Sequence, residues 1–297
     1  MNNSLGSDFG ISIIIPTIGR DSINDLLKSI HSDTTLNNHE IIIVGSSIAI
    51  DGILNLAQEY NCIKFVVQNV SSVSLSRNIG IKHAKKEIIS LIDDDDLWLE
   101  KRTQIFTEAT ITYSKSIIFG SASILDQKTK RVTYSIKEKQ ITKSDLISQF
   151  ERTVFLKQKY FLQVGNCAFS KKITAPKFRE NLVYLEDQIW IFDALNSGLQ
   201  VRQIKNLTVK YSFSRDRSNE RWSISNEKQI YSTLNELIPE LGAKYISNVS
   251  LKSLAISSNK QKFISARKDL FNNFTFGPVD RLRFLALSVI NLLVNSK

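Results

Sequence analysis

Four short apolar runs constrain this chain more than any other feature: "ISIIIP" from Ile11, "EIIIVG" from Glu40, "IKFVVQ" from Ile63 and "EIISLI" from Glu87. Each reads as a strand, and the first, continuous in apolar and β-branched residues, as one covered on both faces. Helical spacing fills the gaps between them. In "RDSINDLLKSIHS", Ile23, Leu26, Leu27 and Ile30 share one face, with Asp21 or Ser22 as the N-cap. Further helices are predicted near Asp51 to Tyr60 and over Ser74 to Lys85. Strands joined by helical crossovers predict an α/β fold, a doubly wound and mostly parallel sheet whose ligands bind beyond the carboxyl ends of the strands.

Past Glu100 the pattern loosens. It predicts a helix to about Tyr113, a strand at "SIIFGSAS", a polar strand pair around "RVTYSI" and a short helix near Ser144 to Phe150. A strand at "CAFSKKI" follows, then a helix in "YLEDQIWIFDALNSG" stopped by Gly198, and one or two strands in "LQVRQIKNLTVKYSFS". From about Arg217 the chain reads as helical. At 297 residues it is long enough for one large α/β domain with an appendage. Residues 1–217 are expected to form the main α/β domain, divided near 98 and 99, with 218–297 as a helical extension.

Two cysteines lie far apart and three histidines are scattered, which predicts a reducing cytosol and argues against a disulfide framework or structural zinc. The start, "MNNSLGSDFG", has neither the basic nor the apolar region of a secretory signal. The net charge of +10 is lopsided: from Gly242 onward nine Lys/Arg face only Asp269 and Asp280. Such a tail suits an anionic surface. Its last segment, "PVDRLRFLALSVINLLVNSK", is basic and amphipathic, and its apolar run is too short to span a bilayer, so it suits a membrane interface. Packing on the catalytic domain or a homodimer contact would satisfy the same pattern.

The fourth apolar run ends in "DDDD", Asp93 to Asp96. Like charges in a row repel, so the run is either a solvated turn or a place for something cationic. In extended chain Asp93 and Asp95 would point one way and Asp94 the other. Two carboxylates on one side suit Mg²⁺ or Mn²⁺, which take oxygen ligands and commonly add only one or two carboxylates to substrate phosphates. Diphosphate handling is the chemistry that calls for this arrangement.

"IISLIDDDDLW" resembles the strand and D-x-D segment of family 2 glycosyltransferases with the GT-A fold. Other landmarks resemble that family in order: "ISIIIPTIGR" as the opening strand and turn, and "SVSLSRNIGIKHAKKE" with its Arg-Asn-x-Gly core. "GNCAF" and "YLEDQIW" follow as the strand bordering the sugar and the Glu-Asp helix start. The resemblance covers about Ile11 to Ser214 and implies a GT-A-type, Rossmann-like sheet. It implies Asp93 at the nucleotide ribose, Asp95 on the metal with Asp93 and Asp96 beside it, and Pro16, Thr17 and Arg77 near the base. Asp187 is implied as catalytic base, and Gly165, Asn166, Glu186 and Trp190 as lining a donor or acceptor sugar. Read alone, Trp98 and Trp190 are packing residues and the Glu-Asp pair an ordinary acidic first turn.

Two departures from the family pattern stand out. The second strand runs into "VGSSIAIDG" in place of Val-Asp-Asp-Gly-Ser, leaving Ser46 or Asp51 to meet the base. The late segment offers Arg215 and Arg217 in place of a histidine, a candidate diphosphate clamp. The resemblance implies a nucleotide-diphospho-sugar donor (a UDP-sugar first) and a Mn or Mg cofactor. It also implies inversion and a lipid-diphosphate-linked saccharide acceptor in bacterial surface-polysaccharide assembly (O-antigen, lipopolysaccharide or capsule), with the enzyme peripheral at the cytoplasmic membrane face. Two rivals are a haloacid-dehalogenase-like phosphohydrolase, which also sets D-x-D behind a strand, and a non-catalytic membrane-binding module. A nucleic-acid groove is disfavoured because basic and aromatic residues do not interleave.

Overall fold

A computed structural model describes residues 10–55, 60, 62–69, 72–126, 132–135, 138–146, 162–182, 186–213 and 236. By its internal contacts the chain divides into one unit of residues 1–143 and 160–214, and a second of 144–159 and 215–297. The architecture below is that of the first unit. The predicted tail helix, Arg215 and Arg217 lie outside the described residues. No helix among the described residues is long and apolar enough to cross a membrane.

The four apolar runs form strands: β1 (Ile11–Pro16), β2 (His39–Ser46), β3 (Ile63–Gln68) and β4 (Ile88–Leu91). They lie parallel in the order β3-β2-β1-β4. Helix α1 (Ser22–His31) packs on them with Ile23, Leu26, Leu27 and Ile30, all fully buried against Ile11, Ile13, Ile15, Ile41 and Ile43. Each such side chain contributes about 1.5–3 kcal/mol of burial, so an isoleucine-rich sheet needs no special pairing to hold this layer.

Helix α2 (Ser47–Asp51) starts ahead of the helix predicted near Asp51 to Tyr60, of which residues 52–55 are turn and 56–59 lie outside the described residues. The cause is Ser46, whose Oγ accepts from Ala49 N at 3.3 Å and caps the helix at the last residue of β2. Helix α3 (Val73–His83) follows β3. After the two-residue β5 (Leu97–Trp98) comes α4 (Arg102–Thr112), then β6 (Ser116–Asp126), β7 (Val132–Ser135) and β8 (Lys139–Ile141). Residues 143–146 are helical. A 3-10 turn at Val164–Asn166 leads into β9 (Cys167–Ser170), and α5 (Glu186–Asn196) precedes β10 (Gln200–Phe213). The late segment is thus one strand of 14 residues, bent by register shifts on either side of Leu207.

Beyond β4 the sheet becomes mixed, in the order β4-β9-β6-β10-β5. Strand β9 runs antiparallel between β4 and β6, whereas β6 and β10 are parallel. The result is an α/β fold with one continuous sheet flanked by helices.

Candidate active site

The chain leaves β1 for β2 and β3 on one side and returns to β4 on the other. The crevice beyond the carboxyl ends of β1 and β4 is therefore a topological switch point, where connecting loops diverge and leave room for a ligand. Residues 17–20 and 93–96 are those two loops, and they are tied together. Thr17 Oγ1 donates to Asp94 Oδ2 at 2.7 Å, Ile18 N–H reaches the same oxygen at 3.3 Å, and the Arg20 guanidinium closes on Asp94 Oδ1. Asp94 is 2% exposed. Its charge is fully engaged in holding the two loops.

The aspartate run is not an extension of β4. The strand ends at Leu91, and Asp96 N–H donates to Asp93 O at 3.2 Å, so Asp94 and Asp95 occupy the corner of a turn. The alternation expected of extended chain does not apply. Asp93 and Asp95 each keep about a quarter of the side chain exposed (27%), and Asp95 Oδ2 lies 3.6 Å from Arg20. Asp96 is buried, and burial, reinforced by Asp93 and Asp95, holds its carboxyl well above the usual range against the pull of Arg102.

Arg77 is the hub of the site. Its Nη2 donates to Asp93 Oδ1 at 2.9 Å, its Nη1 to Asp187 Oδ1 at 2.5 Å, and Glu186 Oε1 lies 3.6 Å away. Burial alone would lower the guanidinium pKa, but Asp187, Asp93 and Glu186 outweigh it and raise it above the ordinary value. The same burial works on the carboxylates. Glu186 is pushed up to about 7 by desolvation and by Asp187 beside it, despite Arg77. Asp187 is raised by burial and by Asp93, with Arg77 and the Val164 N–H opposing. One cation thus draws the end of β4 and the start of α5 to a single point.

The Arg-Asn-x-Gly core of α3 divides three tasks. Gly80 lets the helix approach the sheet: a Cβ there would lie 2.3 Å from Ile14 Cγ2. Asn78 clamps the segment before α5, accepting from Phe178 N at 2.8 Å and donating to Phe178 O at 2.9 Å. Phe178 then stacks on Trp190, with centroids 4.7 Å apart, and underlies Arg77. This is a packed and bonded face, not a solvated one.

Other residues named from sequence fall in distinct places. Pro16 ends β1, buried beside this loop, and Ser46 is spent as the α2 cap. Gly165 abuts Asp93: a Cβ would sit 2.9 Å from its Oδ2. Asn166 is a correction. Its amide donates to Gly120 O at 2.9 Å and Ser121 O at 3.3 Å and accepts from Thr208 Oγ1 at 2.6 Å, so it joins β6 to β10 instead of facing a sugar. Trp190 is another: 1% exposed, with Nε1 bonded to Pro176 O at 2.7 Å, it is a packing residue.

Arg20, Asp33, Asp94 and Arg102 carry roles that no motif announced. Asp33 accepts from Thr35 N–H, Thr35 Oγ1, Trp98 Nε1, Lys101 N–H, Thr103 N–H and Thr103 Oγ1, fastening the strand after the aspartate turn and the start of α4 to the end of α1. Those bonds, set against burial, lower its carboxyl to about 2. Arg102 is fully buried beneath the site, bonded to Leu91 O at 2.8 Å, Ser90 Oγ at 3.2 Å and Gly165 O at 3.3 Å, with its cation over Trp98.

A Mg²⁺ or Mn²⁺ ion that shares its shell with a diphosphate needs only one or two carboxylates. Asp95 and Asp93, both open to the crevice, fit that demand. Asp96 does not, because its carboxyl is buried behind the turn, and Asp93, Asp95 and Asp96 do not bring three carboxylate oxygens within 4.8 Å of one another.

A switch-point crevice bordered by carboxylates and two arginines defines a site for a phosphorylated, nucleotide-like ligand. The sequence profile of "Glycosyl transferase family 2" matches residues 12–175, which hold β1 to β4, the aspartate turn and β9, and the chain belongs to that family of glycosyltransferases. Among curated proteins it is 25% identical to the poly(ribitol-phosphate) β-N-acetylglucosaminyltransferase TarP of Staphylococcus aureus (strain N315), over 76% of this chain and 70% of that one. The fold is similar to that of S. aureus TarS 1–349 in complex with UDP-GlcNAc: TM-score 0.63 and 14% identity over 95% of this chain and 89% of that one. A second structure of S. aureus TarS 1–349 gives a TM-score of 0.62 at the same identity and coverage. The family match establishes a glycosyltransferase, and the structural likeness a GT-A-type fold.

Proposed function

We propose that this enzyme moves a sugar, with inversion, from a UDP-sugar to a hydroxyl of a phosphate-bearing bacterial surface-polymer acceptor, of which a lipid-diphosphate-linked saccharide is the first candidate. The observation that carries this reading is Arg77 bridging Asp93 on the nucleotide side to Asp187 on the acceptor side. Asp93 would meet the ribose. Arg20, beside Asp95 at the mouth of the turn, supplies positive charge where a diphosphate would lie. A divalent cation held by Asp95 and Asp93 would offset the charge of the departing diphosphate.

Asp187 would take the proton of the attacking hydroxyl. A carboxylate lifted toward neutrality is a better base at neutral pH than an ordinary one, because it combines ionisation with real proton affinity. Burial raises Asp187 above the ordinary carboxylate range, as it raises the neighbouring Glu186, and this supports the role. Arg77 and the Val164 N–H hold the two Asp187 oxygens, and engagement of substrate would free one.

The basic surplus of the last 56 residues supports a membrane-side or polyanionic acceptor and a peripheral position on an anionic bilayer. The relative acting on poly(ribitol-phosphate) supports a second acceptor, a polyol-phosphate polymer. The test is a thermal-shift panel of nucleoside diphosphates and sugar nucleotides with and without Mn²⁺, followed by transfer assays with both acceptors. UDP and a UDP-sugar should raise the melting temperature. Stabilisation by no nucleotide, or by phosphomonoesters with release of phosphate, would overturn the reading.

A further inference from the structure

Two of the three histidines and one of the two cysteines, far apart in sequence, meet at the end of the sheet opposite the crevice. His31 is the last residue of α1, His39 the first of β2, and Cys62 immediately precedes β3, its carbonyl accepting from Ile41 N–H at 3.0 Å. One ligand atom from each lies within 4.8 Å of the others, and among the described residues this is the set of His, Cys, Asp and Glu side chains that converges in this way. Their spacing in the sequence matches no zinc-ligand motif. The fold supplies the convergence that spacing lacked.

The detailed geometry favours ligation. His31 Nδ1 lies 2.8 Å from the Leu27 carbonyl. A carbonyl carries no proton, so Nδ1 must donate, which leaves Nε2 of the neutral ring with its lone pair. That Nε2 lies 3.7 Å from Cys62 Sγ. Zinc–nitrogen and zinc–sulfur bonds of about 2.0 and 2.3 Å put the N···S edge of a tetrahedron at about 3.5 Å. His39 Nε2 is buried with no hydrogen-bond partner. Tyr60 stacks on His31, centroids 4.0 Å apart, and braces its ring.

We propose that His31 Nε2, His39 Nε2 and Cys62 Sγ ligate a zinc-class transition-metal ion, with a solvent molecule in the fourth position. Binding forms two metal–nitrogen bonds and one metal–thiolate bond, and the thiol proton leaves to solvent. The donors are soft and borderline, unlike the carboxylates of the crevice, so the two sites select different ions. The ion staples the end of α1 to the starts of β2 and β3, three elements that the sequence holds apart.

The test titrates the full-length, chelator-stripped protein with Co²⁺ and follows thiolate-to-cobalt charge-transfer absorption. One equivalent should saturate the band, and one equivalent of Zn²⁺ should displace it and raise the melting temperature. Cys62→Ser should abolish the band, whereas Cys167→Ser and Asp95→Asn should leave it intact. His31→Gln and His39→Gln should each weaken cobalt binding at least about tenfold, since loss of even a second-shell partner has that effect. If Cys62→Ser does not fold, the two histidine variants decide the matter. Absence of the band in the wild-type protein, leaving only a thiol–imidazole hydrogen bond, would overturn the proposal, as would a band that survives all three ligand substitutions.

Discussion

Arg77 and Arg102 are both buried, both lie near the carboxyl end of β4, and both touch the Asp93–Gly165 neighbourhood, yet their surroundings are opposite. Arg77 is ringed by Asp93, Glu186 and Asp187, which raise its pKa above the ordinary value. Arg102 is ringed by Leu91, Gly165 and Thr208 carbonyls, the Ser90 hydroxyl and two aromatic rings, and burial lowers it to about 10. A cation that meets carbonyls and rings is a fixed strut. A cation shared among partly open carboxylates leaves protons and charge that a substrate can redistribute. The contrast separates the scaffold of this site from its chemistry.

The largest effects should come from breaking each half of that contrast. Arg102→Ala removes the cation under the aspartate turn and should cost about 3–5 kcal/mol of unfolding free energy, read by denaturant titration, because the dipoles it satisfied are left buried. Arg77→Ala should lower kcat about 100-fold or more, and its stability should depend on pH. With the cation gone, nothing opposes the burial that already raises Glu186 and Asp187, so stability is retained below about pH 4 and lost as pH rises toward and past about 7. Melting curves of the two variants between pH 5 and pH 8 should diverge accordingly.

A smaller effect belongs to Asp33, whose depressed pKa makes the opposite prediction. Its folded value of about 2 against an ordinary 3.8 corresponds to roughly 2 kcal/mol, present above about pH 4 and lost as pH falls toward 2. Asp33→Ala should lack that component at pH 7 and show a flatter acid limb. Smallest of all, Ser46→Ala should lose a helix cap, about 1 kcal/mol, while donor affinity stays unchanged. A large rise in the donor Kd would instead place Ser46 on the nucleotide base.

Which features were legible in sequence follows the physics of each. Continuous β-branched runs read as strands, so β1 to β4 and the apolar face of α1 stood out, although β3 at the sheet edge is only partly covered, with Val67 54% exposed. The site's location followed, because a switch point is a property of strand order. The aspartate run was visible, but its turn was not: like charges can alternate along a strand or splay around a corner, and only Thr17 and Arg20 across the crevice choose the corner. Asn166 was placed at the sugar only through the family resemblance of "GNCAF", whereas here three bonds to neighbouring strands absorb it. Asp33, Arg102 and the His31–His39–Cys62 group depend on partners far away in sequence, and no local pattern records such pairs.

The most direct measurement compares wild-type protein with Asp187→Asn for donor binding and turnover, using the UDP-sugar that the thermal panel selects. The account predicts an unchanged donor Kd with kcat lowered about 100- to 10,000-fold, the usual range for a lost proton-transfer group. Turnover at the wild-type rate in Asp187→Asn would contradict it, because the acceptor-side carboxylate that Arg77 holds would then have no part in the transfer.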